Sequence, residues 1–226
     1  MAERRTYGSY NDGCASAHAL DLIGERWALI VIRELLLGPK RFVDIQRDIP
    51  GVGPGPLSKR LQELEETGVV ERRILPEPAR VTVYALTSWG RGLEAVNIAL
   101  SLWAVQSPRM PFEADMSPDT LVLAMRAHAR ALPIGLPDRI VTLELTDSRT
   151  VDRKAVTYLA TMTSTATVID KTISSGGVDA QVRSTARAWK DIIIGGAALD
   201  SAEDVTVSGT REAVEALILA TRLGAR

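Results

Sequence analysis

The chemistry open to this 226-residue chain is narrow, because it holds one cysteine, Cys14, and two histidines, His18 and His128. A single cysteine excludes an intramolecular disulfide and leaves a structural zinc site without its usual ligands. No Gly-x-Ser-x-Gly elbow, Gly-x-x-x-x-Gly-Lys phosphate loop or His-Glu-x-x-His occurs, and the carboxylates show no spacing that suits an acid and a base. The chain does not read as an enzyme, and neither cofactor nor metal is expected. Cys14 stands just ahead of a helical stretch, where the helix dipole favours its thiolate, with His18 one turn later. That suits a redox sensor working through an intermolecular bond, and a lone cysteine equally suits a small buried residue.

The remaining chemistry belongs to cations and amides. At 100° per residue, Leu57, Leu61 and Leu64 fall within about 60° of one another and form a core stripe. The opposite face is Gly55, Lys59, Gln62 and Glu66, flanked by Ser58, Arg60 and Glu63. Lys and Gln suit hydrogen bonds to base edges, and Gly55 with Pro56 lets the helix start approach a duplex closely. Lys40 and Arg41 open the preceding helix, where cations reach phosphates, and Arg80 lies beside a hairpin turn as a minor-groove arginine would. These pairs also fit ordinary solvated faces, and Glu63, Glu65 and Glu66 would repel phosphate unless turned away.

The elements that must carry these residues follow from hydrophobic spacing. Residues 14–23 read as a helix ending at Gly24, and residues 26–37 as a second with Trp27, Ile30, Val31, Glu34 and Leu35 on one face. Residues 41–47 form a short helix with Phe42, Ile45 and Ile49 inward. After Gly51-Val52-Gly53-Pro54, a further helix runs to Thr67 and closes at Gly68. Two strands, 69–74 and 80–86, flank the turn Leu75-Pro76-Glu77-Pro78-Ala79, and a long helix over 89–105 follows. Its Leu93, Val96, Ile98, Leu100, Leu102 and Trp103 exceed one buried stripe, which implies a partner chain. This layout is a winged helix-turn-helix, whose second helix of the pair lies in the DNA major groove.

Charge neither demands nor forbids that reading. Lys plus Arg is 27 against 28 for Asp plus Glu, for a net charge of −1, so a DNA contact must be a local patch. The apolar share of 46% is that of a globular protein. No stretch reaches the roughly 18–20 apolar residues of a membrane span and no secretory leader is evident, so a cytoplasmic protein without membrane contact is expected. A proline-rich run at 107–112 divides a domain over 1–107 from one over 112–226.

The first half resembles the HxlR family of winged-helix transcriptional regulators. The matching residues are Cys14, Leu22-Ile23-Gly24-Glu25-Arg26-Trp27, Glu34-Leu35, Leu37-Gly38-Pro39-Lys40-Arg41-Phe42, Ile45-Gln46 and Ile49-Pro50-Gly51-Val52. They continue through Leu57-Ser58-Lys59-Arg60-Leu61-Gln62-Glu63-Leu64, Gly68-Val69-Val70, Val83-Tyr84-Ala85-Leu86-Thr87, Gly90, Leu93 and Trp103, so that residues 14–106 are spanned. The resemblance implies a homodimer on operator DNA, joined by the first and last helices of this half, and some relatives carry a redox-sensing thiol where Cys14 stands. Gly53 departs from the Ser or Thr common in the family, which removes a side-chain phosphate donor.

The second half reads as α/β: a helix from the Ser117 cap to Leu132, strands over 139–145, 154–160, 166–173 and 178–183, a helix over 185–194 stopped by Gly195-Gly196, a strand at 205–207 and a terminal helix from Thr210. Ser174-Ser175-Gly176-Gly177 reads as a loop. Residues 178–220 resemble the end of a sterol carrier protein type 2-like domain, which implies an apolar pocket between sheet and helices. Met125, Tyr158 and Trp189 are candidates for its wall, or for plain core. The expected whole is an α+β protein, a winged helix-turn-helix followed by a sterol-carrier-like domain. Its expected function is a dimeric regulator that binds an inverted-repeat operator in double-stranded DNA, modulated by an apolar small molecule. The alternatives are a lipid carrier whose winged helix docks on protein, and a thiol sensor through Cys14.

Overall fold

Apolar residues three and four apart wind the second helix of the chain around Val31, Ile32 and Leu35, all buried, and the elements of the first half assemble on that stripe. The computed structural model describes residues 9–78, 80–150, 154–173 and 176–223; Ala79 of the expected turn and Ser174 and Ser175 of the expected loop lie outside them. The chain forms two compact units, 1–97 and 98–226, with the division inside a helix.

The first unit runs α1 (Ala15–Ile23), α2 (Ala28–Leu35), α3 (Phe42–Asp48), α4 (Pro54–Glu66), β1 (Val70–Ile74), β2 (Thr82–Leu86), α5 (Ser88–Arg91) and the start of α6 (Leu93–Ala104). Pro54 opens α4, where its missing donor costs nothing, and Gly68, at φ +76°, ends it in the left-handed conformation. β1 and β2 pair antiparallel with Val70 opposite Leu86 and Arg72 opposite Tyr84. Lys40 adds a third, one-residue rung through its backbone bonds with Tyr84, at 3.0 and 2.8 Å. The helix expected over 89–105 is two. The Gly92 N–H bonds Trp89 O three residues back, at 3.0 Å, and that tightened turn breaks the helix between α5 and α6. No residue of α6 is buried.

The second unit runs α7 (Pro118–His128), β3 (Arg139–Thr146), β4 (Val156–Met162), β5 (Thr167–Lys171), β6 (Ala180–Thr185), α8 (Ala186–Ile193), β7 (Val205–Gly209) and α9 (Arg211–Thr221). Its sheet has the order β5-β4-β3-β6-β7, antiparallel except where β3 and β6 run parallel. Alternate residues Val141, Leu143, Leu145, Tyr158, Ala160, Met162 and Val182 are fully buried, and α7, α8 and α9 pack on the sheet. α7 stops at His128, short of Leu132, because residue 129 is already extended and Leu132 N–H bonds Thr163 O at 2.8 Å. Lys190 of α8 holds the incoming chain by donating to Phe112 O and Ala114 O, at 2.7 and 3.1 Å.

Candidate nucleic-acid interface

α3, the turn through residue 53 and α4 form the helix-turn-helix, and β1–β2 form the wing. Leu57, Leu61 and Leu64 anchor α4 in the core with Ile45 and Ile49. That burial turns Gly55, Ser58, Lys59, Gln62 and Glu66 outward, and all five are exposed. The Lys59 side chain is 74% exposed, with Glu63 Oε1 3.8 Å away. Gln62 Nε2 donates to Glu66 Oε1 at 2.8 Å, which leaves its amide oxygen toward solvent for a base edge. A Cβ placed on Gly55 would meet nothing within 4 Å, so open space lies before the start of α4.

The cations divide into two kinds. Arg41 is exposed at the start of α3, and it shares Asp44 with Arg47, at 2.7 and 2.8 Å. Burial pushes the Asp44 carboxyl up, but the Arg41 hydrogen bond and the charges of Arg47 and Arg41 outweigh it and hold Asp44 below its ordinary value. Arg80 is exposed at the wing tip, 3.7 Å from Glu77.

Lys40 and Arg60 are placed otherwise, and the expectation that they hold phosphates is revised. Lys40 is 8% exposed, with Nζ 2.7 Å from Glu34 Oε2 and 3.0 Å from Asp48 Oδ2. Arg60 is 9% exposed and paired with Glu63 at 2.5 Å and Glu25 at 3.6 Å. Buried carboxylates on other elements capture Lys40, an arrangement that linear spacing does not reveal, whereas Arg60 is held by Glu63 one turn on in the same helix and by the exposed Glu25. The sequence reading also passed over Arg47 on α3 and Arg72 and Arg73 on β1, which are exposed. Arg72 bonds Glu65 of α4 at 3.1 Å and lies 5.5 Å from the Tyr84 ring, and Arg73 pairs with Glu71. The signal that could have found them is the Arg-Arg pair in a strand of only five residues.

The profile of the HxlR-like helix-turn-helix family matches residues 22–110. The regulator YodB of Bacillus subtilis is 42% identical over 88 residues, which are 39% of this chain and 79% of YodB. The chain belongs to the HxlR-like helix-turn-helix family. A second relative, the B. subtilis regulator YvaP, is 38% identical over 89 residues, 39% of this chain and 82% of its own. Among solved structures, reduced YodB from B. subtilis is 39% identical with a TM-score of 0.39, covering 42% of this chain and 95% of YodB. The redox regulator HypR in its oxidized form is 30% identical with a TM-score of 0.40, covering 43% of this chain and all of HypR. As an HxlR-family member the chain is a DNA-binding transcriptional regulator and not an enzyme; YodB and YvaP are both named as transcriptional regulators.

Two further sets of residues lie apart from this surface. Cys14 is exposed at the N-cap of α1; no side-chain capping bond closes there, but the backbone amides of Ala17 and then Ser16 pull its thiol below the ordinary value. Met125, Tyr158 and Trp189 are fully buried in the core of the second unit rather than lining an open pocket. Tyr158 Oη donates to Asp119 Oδ1 at 2.6 Å, and the buried Trp189 Nε1 has no hydrogen-bond partner among the described residues. A cleft of about 280 Å³ in this unit lies elsewhere and is of mixed character, lined by Thr185, Arg187, Asp191, Glu203 and Asp204 together with Ala188 and Ala202 among others. In the first unit an apolar cleft of about 300 Å³ is lined by Ala19, Leu22, Ile23, Val69, Trp89, Gly92 and Leu93. Among the described residues no helix is long and apolar enough to cross a membrane.

Proposed function

We propose that the chain binds an inverted-repeat operator as a homodimer, with α4 in the major groove of each half-site. Ser58, Lys59 and Gln62 read base edges, Gly55 admits the duplex, Arg41 and Arg47 hold phosphates, and Arg80 with Arg72 and Arg73 serves the wing. The observation that carries this reading is the outward row of Gly55, Ser58, Lys59 and Gln62 on a helix whose opposite stripe is wholly buried. Support for the dimer comes from α6, which leaves Val96, Leu100, Leu102 and Trp103 exposed. Two-fold symmetry spaces the half-sites by about one helical turn, roughly 10 base pairs, or a multiple of it.

Residues 1–107 act in this reading as the DNA-binding and dimerisation domain, and residues 112–226 as a sterol-carrier-like domain whose apolar effector shifts the dimer between two spacings of α4. Such an effector acts only through different affinity for the two states. The support is the resemblance of residues 178–220, in which β6, α8, Gly195-Gly196, an acidic turn, β7 and α9 follow in order. Because Met125, Tyr158 and Trp189 are enclosed, a ligand reaching them must part the helices from the sheet.

The deciding experiment is selection of bound sequences from a random duplex pool at two salt concentrations. An inverted repeat whose affinity falls steeply with salt is the expected result. Recovery of unselected DNA only, with and without added apolar metabolites, would overturn the operator reading. A second reading, thiol sensing, is favoured by the exposed Cys14 with its lowered pKa and by a relative named as a redox regulator. It predicts that diamide releases the operator from the native protein and not from Cys14→Ser.

A further inference from the structure

Lys40 stands where three parts of the winged helix meet. Its Nζ lies 2.7 Å from Glu34 Oε2 on α2 and 3.0 Å from Asp48 Oδ2 at the end of α3. Its backbone N–H donates to Tyr84 O at 3.0 Å and its carbonyl accepts from Tyr84 N–H at 2.8 Å, which ties the same residue to β2. Arg33 grips the other Glu34 oxygen at 2.8 Å, and Arg47 the other Asp48 oxygen at 3.3 Å. The contacts continue through the wing, because the Arg72 guanidinium lies 5.5 Å from the Tyr84 ring and bonds Glu65 Oε2 on α4 at 3.1 Å. The circuit thus runs from α2 and α3 through Lys40 to the wing, and from the wing to α4.

We propose that Lys40 is a positioning residue for DNA recognition. It sets the wing against the helix-turn-helix so that both meet one duplex together, and it touches no phosphate itself. A two-stranded ribbon is only marginally stable alone, so its attitude depends on what fastens it to the helices. An enclosed ionic network is a poor source of stability compared with apolar packing, yet its directional bonds can hold one arrangement against others. Non-specific binding follows the number of phosphates neutralised, which the lock leaves unchanged. Operator binding needs α4 and the wing in register at once, which the lock provides.

This inference rests on the DNA-binding reading, and the test separates the two. Lys40→Met alone leaves Glu34 and Asp48 without the cation between them and endangers folding. The decisive variant is therefore the triple Glu34→Gln, Lys40→Met, Asp48→Asn, which removes the charges together. Its affinity for the selected operator and for an unselected duplex is measured across a salt series, and amide exchange of residues 82–86 is followed without DNA. The expected result is an operator affinity lower by about tenfold, with unselected-duplex affinity within about twofold of native and its salt slope unchanged. Exchange in residues 82–86 accelerates about tenfold, while Leu61 and Leu64 of α4 keep their protection. A salt slope shallower by about 0.9 would make Lys40 a phosphate contact and overturn the proposal. Unchanged operator affinity would overturn it too, as would wing exchange equal to native. Native protein that prefers no duplex sequence would refute the operator reading, and the exchange measurement would still decide whether Lys40 fastens the wing.

Discussion

Asp44 orients two guanidinium groups, those of Arg41 and Arg47, on one side of α3 and stays ionised well below neutral pH. Arg41→Ala is accordingly expected to weaken every duplex alike and to make the slope of log K against log salt shallower by about 0.9, as a titration series would show. The base-reading role proposed for Gln62, whose amide carries no charge, predicts the opposite signature. Gln62→Ala should cost about 1–3 kcal/mol on the operator, relax preference at one base position and leave the salt slope alone. Cys14 belongs to this scale as well. With its thiol lowered by the Ala17 and Ser16 amides, it should react with iodoacetamide at neutral pH faster than a free cysteine. A rate equal to free cysteine would remove the physical basis for a sensing thiol. The exposed face of α4 was legible from period alone, since Leu57, Leu61 and Leu64 fix which side is wet. Lys40 was not, because its carboxylate partners Glu34 and Asp48 sit on other elements; for Arg60 the Glu63 partner is local, and what stayed hidden is its burial and the contact with Glu25.

At the scale of elements, the junction between the wing and α5 depends on close backbone approach. A Cβ on Gly90 would fall 2.1 Å from Val69 O, a backbone atom that cannot swing aside. Gly90→Ala should therefore push α5 from β1 and cost about 1–3 kcal/mol or more, read from denaturant midpoints, although no polar contact is removed. α7 carries a pH dependence at its last residue. Burial, and then the charge of Arg130, hold His128 below the ordinary value of 6.5, against the pull of the helix C-terminus. The unfolded chain then binds more protons than the folded one between the two values, so stability rises with pH through that window and is lowest below it. Thermal midpoints measured from about pH 5 to 7.5 should fall on the acid side, and His128→Gln should flatten that fall.

For the whole molecule, the outstanding feature is α6, which has no fully buried residue and exposes Trp103 by 76%. If a second copy covers it, the pair Leu100→Glu and Trp103→Glu should sediment as a monomer. It should also lose operator affinity far more than affinity for a single half-site, since each recognition helix would then bind without the other. A variant that stays dimeric would move the interface elsewhere. The second unit encloses Tyr158 and Trp189, so an effector would have to reveal itself as a change in the packing of Trp189, whose indole N–H has no hydrogen-bond partner among the described residues.

What the amino-acid order determined by itself is the set of elements whose signals are local: the apolar stripes of α2 and α4, the Pro54 start and Gly68 stop of α4, the β-branched strands of the wing, and the run from β6 to α9. Those signals act over one or two turns, so neighbours in sequence suffice to read them. Tertiary structure alone decided the rest. It split the long helix at Gly92, shortened α7 to free Leu132 for Thr163, and placed β6 parallel to β3. It also drew Lys40 into a buried ionic node while leaving Arg41 in water. The physical reason is the same throughout: burial and pairing depend on atoms brought together from distant positions, and a cation's role is set by the nearest carboxylate in space rather than in sequence.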